Sequence, residues 1–317
     1  MKTIAITGGT GFVGRHVIAA VRDAGHSVRA LARRPQENDE GLVWVPGALE
    51  DQKALDRLVS GADAVIHLAG LIKALTPHQF FAANRDGTER LLAAIQNHAP
   101  HARFVYVSSL AAREPQLSPY AASKYAAEQV VAEAARTQLH DWAIVRPPGI
   151  YGPGDQEILK LIKAAKRGFL PAPGAVKNKV SLLFGPDLAT LLRDLALMDG
   201  SVHGLCHGTV LEVDDGCRGG YSYLDLSRIL SRGLGRPVRP VPVPLPLLSA
   251  MGHMGSAVAK ITGRPAMLTA AKARELSHPD WVVGPSVDGF EAFWSPRTGF
   301  EKGLVETLDW AEKTGQF

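Results

Sequence analysis

Short apolar runs alternate along the first half of the chain with longer stretches in which apolar positions recur three and four residues apart. The runs TIAIT (3–7), SVRALA (27–32), LVWVP (42–46), AVIHLA (64–69), RFVYVSS (103–109) and WAIVRP (142–147) predict strands. Between them, roughly residues 12–24, 51–60, 77–98 and 119–138 carry the three- and four-residue spacing of helices. Six strands with intervening helices predict an α/β fold, a doubly wound parallel sheet covered on both faces. After RPPGIYGPGD glycine and proline become frequent and the elements shorten, which puts a domain boundary near residue 152.

Composition changes this picture little. The 317 residues are 46% hydrophobic and 21% charged, ordinary for a globular chain with a sizeable core. A net charge of +4, with basic residues scattered along the chain, does not point to nucleic acid. The histidines and the two cysteines, Cys206 and Cys217, show no paired ligand spacing, so no metal is expected and both thiols read as free. The N-terminal apolar run is shorter than the roughly 7–15 residues of a signal peptide, and a cytoplasmic protein is expected.

The stretch TGGTGFVG then acquires a meaning. Gly8, Gly11 and Gly14 follow the first strand and open a helix, the context that separates a dinucleotide loop from a chance glycine cluster. Gly8 permits a tight turn, Gly11 lets backbone approach a pyrophosphate, and Gly14 lets the helix pack on the sheet. Thr10, Phe12 and Val13 complete the loop, whose free N–H groups face the phosphates. An NAD site normally has an acid about 20 residues further on, to take the ribose hydroxyl. Here Ala32 is followed by Arg33 and Arg34, and Glu37 and Asp39 lie past Pro35. Guanidinium groups suit a 2′-phosphate, so NADP is expected rather than NAD. Residues 1–152 then form a Rossmann domain, joined by part of 181–210, and 153–317 a smaller mixed substrate domain.

Tyr120 and Lys124 are four apart in YAASKYAAE, so on a helix they share a face. A phenol with a pKa of about 10 is a poor proton-transfer group, and a nearby ammonium favours its phenolate. Ser108 and Ser109 end the preceding strand, where either hydroxyl could hold a substrate oxygen. Serine, tyrosine and lysine in this order behind a dinucleotide loop describe proton transfer beside a hydride carrier.

The chain resembles the extended short-chain dehydrogenase/reductases, also called the NAD-dependent epimerase/dehydratase family. The resemblance rests on TGGTGFVG, HLAG, NRDGTERLL, YVSS, PYAASK and RPPGIYGPGD. It implies Ser109, the better match of the two serines, with Tyr120, Lys124 and Asn84 as catalytic residues. It also implies that Lys124 bonds the nicotinamide ribose, that Leu68, Ala69 and Gly70 line the cofactor, and that Pro147, Gly149 and Ile150 lie by the nicotinamide. A homodimer through a helix pair is a further implication. Three departures qualify it. Ala48 stands where the family often has an acid, leaving Leu49 for the adenine; KVSLLFGPDLA keeps Asp187 but lacks the arginine of nucleotide-sugar enzymes; and the C-terminal part is similar to the 3β-hydroxysteroid dehydrogenase and dihydroflavonol reductase branch.

The expected function is thus an NAD(P)-dependent oxidoreductase acting on a ketone or secondary alcohol, with a nucleotide-sugar epimerase/dehydratase or a non-catalytic cofactor-binding protein as alternatives. His67 reads as a packed, hydrogen-bonded histidine, and Lys160, Lys163, Lys166 and Arg167 as a solvated helix face. The charge-free PVPVPLPLLSAMGHMGSAVA is too broken by proline to span a bilayer. Its helical part, roughly Leu245 to Ile261, is expected either as a core helix or with Met251 and Met254 as an apolar wall over the nicotinamide.

Overall fold

A computed structural model describes residues 1–137, 139, 141–198, 208–285 and 287–316. Cys206 lies outside the described residues. At the centre stands β1 (Thr3–Thr7), whose Ile4 and Ile6 point to one face of a sheet and Ala5 to the other, the two-residue period of a strand. It leads through the glycine loop into α1 (Phe12–Asp23). Then come β2 (Ser27–Ala32), β3 (Leu42–Pro46), α2 (Gln52–Val59) and β4 (Ala64–His67). The strands AVIHLA and RFVYVSS stop earlier than their apolar runs, at His67 and Val107, because the chain turns out of the sheet there.

The expected helix 77–98 is α3 (Pro77–Phe81) and α4 (Gly87–His98), joined by a π-helical turn, Ala82–Asp86. A π turn inside a helix aims one side chain off the regular pitch. That side chain is Asn84. Next are β5 (Arg103–Val107), α5 (Pro119–Thr137) and β6 (Trp142–Arg146). Among the described residues the sheet has seven strands rather than six, in the order Thr209–Glu212, β6, β5, β4, β1, β2, β3, all parallel. The seventh comes from beyond residue 152, and its run TVLE is too short to stand out in the sequence. The order reverses between β1 and β4, so their carboxyl ends open the crevice where doubly wound sheets bind ligands.

Two cores flank the sheet. Ile4, Ile6, Val17 and Val21 meet Leu188, Leu191 and Leu195 of the helix Gly185–Leu197 on one face. On the other, Leu55, Leu58, Val65, Leu91, Phe104 and Tyr106 pack together. Each such side chain, wholly withdrawn from water, contributes about 1.5–3 kcal/mol. A third core, around Tyr151, Phe184, Leu226 and Phe300, holds the C-terminal half. Asp187 ties that half to the sheet, its buried carboxylate accepting the Arg297 and Thr298 N–H groups at 2.8 Å each.

The helix Leu245–Thr262 corrects one expectation. It buries Leu248, Gly252 and Ala259 against the helix Ala270–Leu276, where a Cβ on Gly252 would fall 2.5 Å from the Thr269 carbonyl carbon. Met251 and Met254 project into solvent, so they are neither core residues nor a wall over the nicotinamide. Alternation of small residues, not the methionines, set the packed face. Among the described residues no helix is long and apolar enough to cross a membrane.

Candidate active site

The glycine loop is built by steric exclusion. Gly8 has φ 77°, and a Cβ there would lie 2.8 Å from the Ala69 nitrogen, where the ends of β1 and β4 touch. A Cβ on Gly14 would fall 2.2 Å from the Gly8 carbonyl oxygen. Gly11 caps α1 without any side-chain hydrogen bond and is exposed, so the N–H groups of the first helical turn face open space. An anionic group fits there without displacing protein atoms.

At the end of β2, Ala32 is buried and Arg33 and Arg34 are exposed. Among the described residues neither guanidinium has a side-chain partner. Asp39 is engaged elsewhere, held by Arg22 at 2.6 Å, and that hydrogen bond keeps its carboxyl below the usual range. Of the two acids past Pro35, Asp39 is thus already paired.

Tyr120 and Lys124 share one face of α5, as their spacing requires, and both line a cleft of about 380 Å³ with Ser109. Lys124 is buried; its Nζ donates to the Val107 carbonyl at 2.7 Å and lies 4.4 Å from the Tyr106 ring centre. Burial lowers its pKa to about 7, against the opposing pull of Glu128. The Tyr120 phenol is pushed up to about 12 by burial, opposed by the Ser109 hydroxyl and reinforced by Glu275. Here the structure differs from the sequence expectation of a phenolate favoured by lysine. With the ammonium turned to a carbonyl and an aromatic ring, desolvation governs the phenol and keeps it protonated.

Asn84 is buried, and its amide is fully employed. Oδ1 accepts the Leu71 N–H at 2.7 Å, while Nδ2 donates to the Leu71 carbonyl at 3.1 Å and to Ser123 Oγ at 2.8 Å. It brackets the Gly70–Leu71 loop against α5. A Cβ on Gly70 would sit 2.7 Å from Asn84 Oδ1, so only glycine allows the bracket. His67 is buried and joins the same network. Thr7 Oγ1 accepts the Ala69 N–H at 3.1 Å and donates to His67 Nδ1 at 2.6 Å, leaving Nε2–H to donate to Thr88 Oγ1 at 3.0 Å. Thr88 then donates to the Asn84 carbonyl at 2.6 Å. Burial, with Lys124 nearby, lowers the His67 pKa to about 3, so the ring is neutral.

Two further groups could not be read from local sequence. Ser108 is not free to take a substrate oxygen, because its hydroxyl donates to the buried carboxylate of Glu128. Arg146 holds that carboxylate through Nε at 2.9 Å and Nη2 at 2.6 Å. Both serines line the cleft, but Ser109 is the one whose hydroxyl meets the Tyr120 phenol. From the C-terminal half, Glu275 accepts the Ser118 hydroxyl at 2.7 Å, and Lys272, paired with Glu275, lies 5.4 Å from the Tyr120 ring centre.

Of the other expected residues, Gly8, Gly11, Phe12, Val13 and Gly14 line the cleft from the loop, and Leu68 and Gly70 from the end of β4. Pro147 and Ile150 close it from beyond β6. Thr10, Arg33, Arg34, Leu49, Ala69 and Gly149 stand outside that lining; Leu49 is buried against Gly87, where a Cβ would lie 2.8 Å from its Cδ1. Asp155 and Glu157 add carboxylates that the sequence reading did not single out. Among the described residues, Lys124 is the one cation in the lining, and it is already committed. Lys160 and Lys163 are exposed on the helix Gln156–Ala165, and Lys160 pairs with Glu157 at 2.8 Å. Cys217 is half-buried and its thiol is raised above its usual pKa by burial, the opposite of an activated nucleophile.

The model of the NAD dependent epimerase/dehydratase family matches residues 4–196. The chain is 38% identical to ceramide reductase of Caulobacter vibrioides, over 98% of this chain and 95% of that protein. It is 32% identical to 2-alkyl-3-oxoalkanoate reductase of Stenotrophomonas maltophilia, over 67% of this chain and 70% of that protein. Among solved structures, dTDP-glucose 4,6-dehydratase from Bacillus anthracis in complex with NAD is similar with a TM-score of 0.74, at 17% identity, covering 100% of this chain and 98% of that one. That likeness is one of fold.

Proposed function

The chain belongs to the NAD dependent epimerase/dehydratase family, and from that premise we propose that it is an NADP-dependent reductase of a ketone carried on a long-chain, apolar molecule. The observation that carries this reading is the charge inventory of the cleft. Its lining has, among the described residues, no cation besides Lys124, which is turned to the Val107 carbonyl, while Asp155 caps the helix Gln156–Ala165 and Glu157 is paired with Lys73 and Lys160, so the diphosphate of a sugar nucleotide would lose hydration there without gaining a charged partner. An uncharged keto compound meets no such cost. The naming of the two relatives as reductases of ceramide and of 2-alkyl-3-oxoalkanoate supports the same class.

Residues 1–152, with the helix Gly185–Leu197, would hold the cofactor, and the remainder would choose the substrate. The first turn of α1 would take the pyrophosphate, and Arg33 and Arg34, exposed and unpaired among the described residues, the 2′-phosphate. When bound, a nicotinamide dinucleotide supplies the hydride for ketone reduction. Tyr120, held protonated by burial, donates its proton to the substrate oxygen. Ser109 donates a hydrogen bond to that oxygen, and Lys124 and Asn84 position α5 and the loop at Gly70 around it.

The test is to follow reduced-nicotinamide absorbance on adding long-chain 3-oxo amides or 3-oxo acids to purified protein with NADPH or NADH. Consumption of NADPH with formation of the hydroxy product is expected. Interconversion of UDP-sugars without net cofactor turnover would replace this reading with the epimerase one, which the structural likeness to a sugar-nucleotide dehydratase keeps in view.

A further inference from the structure

The helix Leu245–Thr262 leaves a continuous apolar face in water. Leu247, Met251, Met254, Val258 and Ile261 follow one another at steps of four, three, four and three residues, and all are exposed, Met254 by 64% and Ile261 by 85%. At 3.6 residues per turn they fall within an arc of about 80°. The packed residues Leu248, Gly252 and Ala259 occupy the neighbouring side, so the stripe is not a spillover of the core. Exposed apolar stripes of this length mark a contact with something.

Charge says with what. No aspartate or glutamate occurs between Asp225 and Glu275, while Lys260 lies on the polar side of the last helical turn and Arg264 follows just past the helix end at Gly263. Among the described residues neither of these two cations has a carboxylate partner. A second copy docking through this helix would bring the same segment, which has no acid of its own to meet them. An anionic lipid surface would accept the stripe and attract the cations of the helix's polar side and end.

We infer that this helix docks the protein, lying in the plane of the interface, on anionic lipid bilayers. The docked helix packs directly on Ala270–Leu276, whose Lys272 lies over the Tyr120 ring, so docking brings the candidate site within one helix of the lipid surface. This surface stands independently of the reductase reading, because it rests on exposure and charge alone.

The test is co-sedimentation of the full-length protein with vesicles of phosphatidylcholine, with and without phosphatidylglycerol. The comparison is the double variant Met254→Glu, Val258→Glu, whose changes lie on exposed positions and whose folding is checked by circular dichroism. The wild type is expected to pellet with phosphatidylglycerol vesicles and to be released by high salt, with the variant's partitioning at least about tenfold weaker. Wild-type protein that stays in the supernatant at low salt, or a variant that pellets equally well, overturns the inference. So does a wild-type dimer that ignores vesicles and that the same substitutions split into monomers, which would mean that the face pairs two copies.

Discussion

The Ser118 hydroxyl donates to the buried carboxylate of Glu275 at 2.7 Å, while the same Oγ accepts the Ala121 N–H at 3.0 Å and so begins the helix of Tyr120 and Lys124. One oxygen thereby joins the catalytic helix to a segment from the other half of the chain. Glu275→Ala removes the acceptor and strands Lys272, which pairs with it. A loss of about 2–3 kcal/mol is expected, since hydrogen bonds to buried charged groups are worth about that much. Urea denaturation measures it, and a midpoint unchanged from wild type would show that the contact holds nothing together.

Tyr120→Phe tests the proton donor. It removes only the hydroxyl, so the ring keeps its edge contact with Phe80, whose centre lies 6.2 Å away. Turnover of the ketone is expected to fall by about 10²–10⁴, the usual worth of a positioned general acid. Cofactor affinity, followed by fluorescence titration, should stay within about twofold, because only the proton-transfer hydroxyl is removed. Near wild-type turnover would remove Tyr120 from the mechanism.

The pair Arg33→Ala, Arg34→Ala addresses cofactor choice. Neither side chain has a partner among the described residues, so stability should not change. NADP affinity should drop by roughly ten- to hundredfold, the worth of a charge-assisted pair at about 1.5–3 kcal/mol. NAD affinity should hold. Calorimetric titration of both cofactors decides it, and tighter binding of NAD than NADP by the unmutated protein would reverse the assignment.

His67 makes stability depend on acid. Its pKa is lowered to about 3 in the folded protein, chiefly by burial, from the ordinary 6.5. Between those values the unfolded chain binds the proton that the folded one refuses, so stability falls as pH falls through this window. It falls by up to about 1.4 kcal/mol per pH unit. His67→Gln, which keeps a donor and an acceptor but does not titrate, should flatten the slope between about pH 6.5 and pH 3. Thermal melts of the two proteins across that range measure the difference, and parallel curves would mean that another group carries the acid sensitivity.

Much of this protein was legible along the chain. The glycine loop, the sheet strands as far as β6 and the Tyr120–Lys124 spacing are local, each depending on residues within a turn or a strand of one another. Steric rules over such short distances do not need the rest of the molecule: Gly14 must be glycine because its own loop's Gly8 carbonyl is there. The strand Thr209–Glu212 was missed because its four residues carry no pattern of their own, and only pairing with β6 makes them a strand.

What the tertiary structure alone decided concerns partners far apart in sequence. Either serine of the strand end YVSS could hold a substrate oxygen by local sequence, with Ser109 favoured by resemblance alone; Glu128 and Arg146, brought together by α5 and β6, engage the Ser108 hydroxyl and leave that of Ser109 to Tyr120. Met251 and Met254 looked suited to line a pocket, but the backbone of Thr269 against Gly252 turned the small residues inward and the methionines out. The Tyr120 proton follows the same rule. Lysine spacing argues for a phenolate, but a pKa answers to burial from every side, and burial exists only once the distant segments have closed around the ring.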